Sequence, residues 1–329
     1  MIIIKLQGGL GNQLFLYGLY KNLEHLGSDV KMDIESGFEG DELRIPCLKS
    51  MGLNYKVATM DEIIAIRDSY MDIFSRIRRK ITGRKTFDYF EPEDGNFDPK
   101  VFEQTHAYLD GYFQSEKYFG DSDSCRNLKD ELLKEKDRIL SSSDTLKDLY
   151  KIMRDSSSVS LHIRRGDYLT PGIMETYGGI CTDEYYDKAM NRIKDEYNDA
   201  RFFIFSNDID WCKEKYGSRD DVIFVENRDE HEGLTDVPDD QDNIKEHGNI
   251  KVQNDIKVYG DIKDYGNNSL RDVAELYLMS TCKHHILANS SFSWWGAWLS
   301  DHKGITIAPS KWLNNKNMTD IYTKDMLLI

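Results

Sequence analysis

The chain is 329 residues long, more than one domain usually holds, so two domains are expected. With 40% apolar and 31% charged residues it has a soluble globular composition and enough apolar material for real cores. A formal charge of −15 argues against a nucleic-acid partner and means that an anionic substrate would need a local cationic pocket.

Residues 2–6 read as a buried strand. Gly8-Gly9-Leu10-Gly11-Asn12 follows as a glycine loop, then a helix-like apolar run from Gln13 to Leu26. Strand, glycine loop and helix open an α/β unit. The spacing predicts a second strand at Val30–Ile34, a helix over 61–80 and a turn-rich, aromatic stretch at 83–99. Serines 141–143 and 156–158 flank a short helical piece, and we place the domain boundary near residue 155. Strands are predicted at Val159–Ile163, Arg201–Ser206, Val222–Val225, His285–Ala288 and, as the last, Ile305–Ala308. Helices are predicted at Asp183–Tyr197 and Leu270–Met279. Strands alternating with helices in both halves imply parallel α/β sheets.

From residue 242 the chain repeats every six residues, as in Asn243-Ile244-Lys245 and Asn249-Ile250-Lys251. Four hexads are too few for a stacked β-helix, so 229–268 reads as an inserted polar, mobile loop; a lid over the acceptor site is the alternative. The five cysteines are scattered and form no CxxC pair, which argues against a disulfide framework or a zinc site. The N-terminal apolar run is too short for a signal peptide or a membrane span, and no later segment is long enough to span.

Several segments carry chemistry. His162-Ile163-Arg164-Arg165-Gly166-Asp167 delivers two arginines at a strand end, where open α/β sheets bind ligands. Guanidinium forks suit phosphate oxygens and keep their charge, although an isolated RRGD is more often a surface ion cluster. Ser290, Ser291, Phe292 and Ser293 lie where a helix would begin, and can serve either as an anion-binding turn or as a plain cap before a core helix. Gly9 and Asn12 belong to a glycine pattern that is weak alone, because neither G-x-G-x-x-G nor a P-loop is present. Asp208-Ile209-Asp210 after a strand could hold a metal, but an N-cap before a helix at Trp211 is the plainer reading. The basic run 76–85, interleaved with Ile77 and Ile81, reads as a solvated helix face or as a contact for an anionic membrane or lipid-linked acceptor.

Together, GGLGNQLF at 8–15, HIRRGDY at 162–168, FSND at 205–208 and CKHHILANSSFSWWGAWL at 282–299 resemble bacterial α-1,2-fucosyltransferases of glycosyltransferase family 11. The resemblance spans most of the chain and implies an α/β, GT-B-like fold. Two Rossmann-like domains would then face each other across a cleft, an acceptor-side domain at 1–155 and a donor-binding domain at 156–329. It implies inverting transfer from GDP-L-fucose to a galactoside 2-hydroxyl without a metal; the short apolar runs favour a cytoplasmic enzyme, and the run 76–85 gives at most a peripheral contact with the inner membrane face. An α-1,6-fucosyltransferase, another GDP-sugar transferase of this fold, or a non-catalytic sugar-nucleotide-binding protein are the alternatives. By the same resemblance Arg165 holds the β-phosphate, Ser290, Ser291 and Phe292 form a diphosphate-binding turn with Ser293 beside it, and Asp208 reaches toward the nucleoside. His162, Arg164 and Asp167 form the positioning shell, and Gly9, Asn12 and Gln13 close on the donor from the opposite domain. Asp33, at a strand end, is the candidate general base. The chain departs from the family at 229–268, which bears on acceptor preference rather than donor chemistry.

Overall fold

The computed structural model describes residues 1–41, 44–225, 258–259 and 268–329. The predicted loop at 229–268 therefore lies outside the described residues, apart from 258–259 and its last residue, 268, where a helix begins.

The first sheet is built from β1 (Ile2–Lys5), β2 (Val30–Asp33), β3 (Asp88–Phe90) and β4 (Ala107–Asp110), all parallel, in the order β2-β1-β4-β3. Around it lie α1 (Leu10–His25), α2 (Met60–Ile66) and α3 (Ile73–Thr82). Then come α4 (Ser122–Leu133), α5 (Lys136–Leu140) and α6 (Asp144–Asp155). The second sheet takes β5 (Ser158–Ile163), β6 (Arg201–Ser206), β7 (Val222–Val225), β8 (Val258–Tyr259), β9 (His284–Ile286), β10 (Thr306–Ala308) and β11 (Met326–Leu328). It too is parallel throughout, in the order β11-β10-β9-β5-β6-β7-β8. Its helices are α7 (Met174–Tyr177), α8 (Asp183–Glu196), α9 (Ile209–Tyr216), α10 (Asn268–Thr281) and α11 (Ser291–Trp298). Every residue of β5 and β7 is buried, which explains why these strands read as continuous runs rather than alternating patterns.

The fold is thus α/β with two Rossmann-like sheets, as expected of a GT-B-like chain. In the second sheet the chain reverses its direction of winding once, between β5 and β9; in the first it reverses twice, and β1 and β4, adjacent in the sheet but distant in sequence, flank the corresponding crevice. Ligands of such sheets bind beyond the carboxyl ends at such a crevice.

One apolar core runs through both sheets. Its centre is α1, buried on nearly every side, which a helix apolar all round requires. Phe15 of α1 packs tilted against Trp294 at 4.5 Å and edge-on to Trp295 at 5.2 Å, both of α11, centroid to centroid. The two helices meet closely because Gly11 has no side chain: a Cβ there would stand 2.6 Å from the Phe292 backbone nitrogen. Across the same boundary the Tyr277 hydroxyl donates to the Leu132 carbonyl at 2.8 Å, and Lys136 Nζ to Ser280 at 2.9 Å. The C-terminal segment returns to the first sheet's side, where the Asn96 side chain accepts from the backbone of Thr319 and Asp320.

Four expectations need correction. The predicted helix at 61–80 is two helices, α2 and α3, parted at Asp68, whose φ is +50°. The Asp68 carboxylate accepts from the Lys85 backbone nitrogen and pairs with Arg78, so side-chain chemistry outcompetes helix continuation. The glycine loop is mostly helix: α1 begins at Leu10, and only Gly8 and Gly9 lie outside it. The strand after Cys282 begins one residue early, at His284. Finally, β11 pairs beyond β10, which is not the last strand.

Gly11→Ala forces the two helix starts apart. We expect a loss of about 1–3 kcal/mol in stability, read from urea unfolding. An unchanged midpoint would show that the contact tolerates a methyl group.

Candidate active site

The two crevices face each other. From the first sheet come the start of α1 and the loop after β4; from the second, the segment after β5 and the start of α11. Gly9 caps α1 without a side-chain hydrogen bond, and neither α1 nor α11 has an acidic residue in its first turn. Two helix amino ends therefore present partial positive charge and spare N–H groups to one place. Gly8 has φ +77°, and a Cβ there would meet the Asn12 side chain, so it is a structural glycine. Gly9 differs: nothing lies within 4 Å of where its Cβ would be, so the space beside it is open to a ligand. Asn12 is half-buried and accepts from the Gln114 side chain at 2.7 Å.

The arginines divide their tasks. Arg164 is spent on Asp167 through two parallel hydrogen bonds, Nε at 2.9 Å and a terminal nitrogen at 2.8 Å. Arg165 is held differently. Its backbone nitrogen donates to Asn207 at 3.0 Å, its Nε to Asp208 at 3.3 Å, and its guanidinium lies 3.9 Å above the Trp211 ring. Such stacking contributes about 0.5–2 kcal/mol and fixes the plane of the fork. Among the described residues, the hydrogen bond of the Arg165 side chain runs through Nε and not through its terminal nitrogens. Asn207 also donates to Asp167 at 3.2 Å, and a Cβ on Gly166 would stand 2.5 Å from that amide. The strand end, the Gly166 turn and the start of α9 thus lock together.

His162 is buried at the end of β5, its ring 5.8 Å from that of Phe292. Burial, helped by the Arg164 charge, pushes its pKa down to about 3, so it stays neutral, and its Nδ1 has no partner among the described residues. Tyr168 donates to the Asn289 carbonyl at 3.1 Å and ties the arginine segment to the serine turn. Ser290 caps α11 by accepting from the Phe292 nitrogen, while Ser291 and Phe292 are half-buried at the helix start.

Three expected site residues have other duties. Ser293 is fully buried and donates within its own turn to Ala288 and Ser290 carbonyls. Gln13 is fully buried too: it donates to Gly8 and Ile45 carbonyls and accepts from the Cys47 nitrogen, so it braces the glycine loop. Asp33 accepts from the Glu35 and Ser36 nitrogens and the Tyr108 hydroxyl. Burial alone would raise its pKa, but the bonds from Ser36, Tyr108 and Glu35 outweigh burial and hold it below the usual carboxylate range. A carboxylate of low pKa whose oxygens already accept three hydrogen bonds is a weak proton acceptor. Asp208 caps α9 through its backbone, yet its carboxylate goes to Arg165 rather than to the helix. Among the described residues no group of three or more His, Cys, Asp or Glu could hold a metal ion.

Sequence reasoning missed Trp211, Tyr168, Asn207 and Gln114 as parts of the site. Trp211 carried a signal, because an aromatic in the first turn of a helix after a strand stands over the preceding loop. It also missed Glu91 and Asp272, carboxyls whose pKa burial raises; the Lys316 charge faces the first, and the Arg271 and Arg164 charges face the second.

The sequence matches the description "Glycosyl transferase family 11" over residues 85–237 and 237–329. It is 29% identical to an alpha-1,2-colitosyltransferase of Escherichia coli, over 97% of this chain and 94% of that one. It is 25% identical to the galactoside 2-alpha-L-fucosyltransferase Sec1 of Mus musculus, over 46% of this chain and 31% of that one. The solved α-1,6-fucosyltransferase NodZ with GDP aligns over 91% of this chain and 92% of its own at 12% identity and a TM-score of 0.41, too low to bear on the site.

Two predictions follow from these environments. Asp33→Ala strands the buried Tyr108 hydroxyl and two part-buried backbone donors, and should cost about 1–3 kcal/mol in urea unfolding while turnover of the folded protein changes only a few-fold. An intact melting temperature with turnover lost a hundredfold would instead restore the general-base role. His162 and His285 are both held neutral with pKa values near 3, chiefly by burial. Each takes up a proton only on unfolding between pH 6.5 and 3, so stability is complete above pH 6.5. It then falls by about 1.4 kcal/mol per pH unit for each histidine as the pH drops. Urea midpoints at pH 7, 6 and 5 check this slope, which His285→Asn should roughly halve.

Proposed function

We propose that this chain, which belongs to glycosyltransferase family 11, transfers L-fucose from GDP-L-fucose to the 2-hydroxyl of a galactoside, with inversion at the anomeric carbon. The observation that carries the reading is the Arg165 guanidinium. It is held by Asp208 and Trp211 beside two helix amino ends, in a protein whose net charge of −15 would otherwise repel a diphosphate. The acceptor hydroxyl oxygen attacks the anomeric carbon from the face opposite the nucleotide, and its proton passes to solvent water. The bond from that carbon to the diphosphate oxygen breaks, and its electron pair leaves with GDP. The terminal nitrogens of Arg165 and the amide at Ser291 stabilise the charge that grows on the leaving oxygen. Such stabilisation, stronger in the transition state than before it, accelerates the step without a metal ion. Arg164 and Asp167 neutralise each other and hold the turn that presents Arg165. Gly9 lets the donor approach the start of α1.

A second reading concerns the donor. The colitosyltransferase that aligns along almost the whole chain is named for a 3,6-dideoxy sugar, which is L-fucose without its 3-hydroxyl. Parallel assays with the fucosyl and the deoxy donor decide between the two by their kcat/KM ratio. A site that hydrogen-bonds the 3-hydroxyl should prefer fucose by several orders of magnitude, because its polar groups would otherwise be left unpaired.

Arg165→Ala should lower kcat by about a hundred- to a thousandfold with the melting temperature unchanged, measured as transfer from GDP-fucose to a galactoside. Near wild-type turnover would sink this mechanism. Excess chelator should leave the wild type active; loss of activity restored by manganese would instead give the diphosphate to a metal.

A further inference from the structure

The helix α3 faces the wrong way for an ordinary surface helix. Its apolar residues Ile73, Phe74 and Ile81, with Met71 just before it, are 71%, 86%, 78% and 78% exposed, and Ile77 is 51% exposed. No residue of α3 is buried. Spaced at 0, 1, 4 and 8, the four helix residues form one stripe about 100° wide. The charged side turns inward instead. Arg78 pairs with the Asp68 carboxylate, and Arg79 donates to the Asp68 carbonyl at 3.1 Å and to the Tyr70 carbonyl. Arg84, just past the helix, donates to the Arg67 carbonyl at 2.8 Å. Asp68 is itself buried and bent into a positive φ, a conformation that costs energy outside glycine. Arginine and aspartate contacts therefore aim the apolar stripe at solvent. Arg76 and Lys80, both exposed, line one flank of it, and Lys80 stands in the last turn.

We infer that α3 is a docking helix for the surface of an anionic lipid bilayer, its stripe entering the boundary between headgroups and acyl chains and its flanking cations meeting the headgroups. Three observations select this occupant. An apolar stripe bordered by Lys and Arg is the pattern of helices that lie in a bilayer interface. The cations are concentrated here in a chain of net charge −15, so a negative surface is drawn to this face and repelled by the rest. A second copy docking by a two-fold contact would set Arg76 and Lys80 against the same cations. The Lys85 nitrogen bonded to Asp68 and the Phe87 nitrogen bonded to Ile66 place α3 before the amino end of β3, whereas the cleft lies beyond the strands' carboxyl ends. Docking through α3 therefore leaves the cleft uncovered by the bilayer. The inference does not rest on the donor reading.

The test is sedimentation of the full chain with vesicles. Wild type should bind vesicles of equal phosphatidylglycerol and phosphatidylcholine at low salt, and bind pure phosphatidylcholine vesicles at least tenfold less. The variant F74E/I77E/I81E should lose at least tenfold of the anionic binding, and R76E/K80E should lose as much by reversing charge alone. Both should keep the wild-type melting temperature and turnover with a free saccharide acceptor, since every altered side chain faces solvent. Equal binding by wild type and R76E/K80E, or no binding by wild type, would overturn the inference. So would a dimer that F74E/I77E/I81E converts to a monomer with vesicle binding unchanged, which would assign the stripe to contact between copies.

Discussion

A missing methyl group governs the layout of this protein. Gly11 lets the first turn of α1 rest on the backbone of Ser291 and Phe292 at a distance no side chain permits. The helix amino ends of the two sheets thereby converge. Everything proposed for the cleft depends on that convergence: the unspent N–H groups, the open space beside Gly9 and the Phe15 packing on Trp294 and Trp295. A helix amino end alone is a modest attractor for an anion. Two of them with a stacked arginine can counter the field of a strongly acidic chain.

Arg165 and Arg164 show how neighbours in sequence acquire opposite uses. Arg164 is satisfied within its own turn by Asp167, a closed pair whose charge cancels. Arg165 points to a different element, and its contacts come from the start of α9. The aspartate that could have suggested a metal is here a clamp on a guanidinium. A carboxylate in that place weakens the arginine's field yet fixes its orientation, and a fork held through Nε retains its outer edge for two phosphate oxygens.

The strand-end motifs were legible because parallel sheets announce themselves. Buried runs such as 159–163, 202–205 and 222–225 end where polar residues begin, and the candidate site draws on the polar residues after the first two. Less legible was anything decided by pairing across the chain. Asp33 looked like a free carboxylate at a strand end until Tyr108 and the turn at 35–36 claimed it. Gln13 and Ser293 sit inside motifs that suggest ligand contact, but their polar atoms close on the backbone. Local pattern named the candidate residues, and only tertiary hydrogen bonding showed which of them brace the backbone. The split of the 61–80 helix has the same origin, since Asp68 is drawn out of helical geometry by Lys85 and Arg78, residues ten or more positions away.

The core that threads both sheets has a consequence for how the chain could be divided. Textual cuts near residue 155 separate the strands cleanly, with β4 ending at Asp110 and β5 beginning at Ser158. They do not separate the packing. A piece carrying only the second sheet would expose Trp294, Trp295 and Tyr277, and one carrying only the first would bare most of α1. Neither piece could be exchanged with that of a relative unless both sides of the α1–α11 seam changed together. Donor and acceptor specificity, if they sit on different sheets, are therefore inherited as one unit.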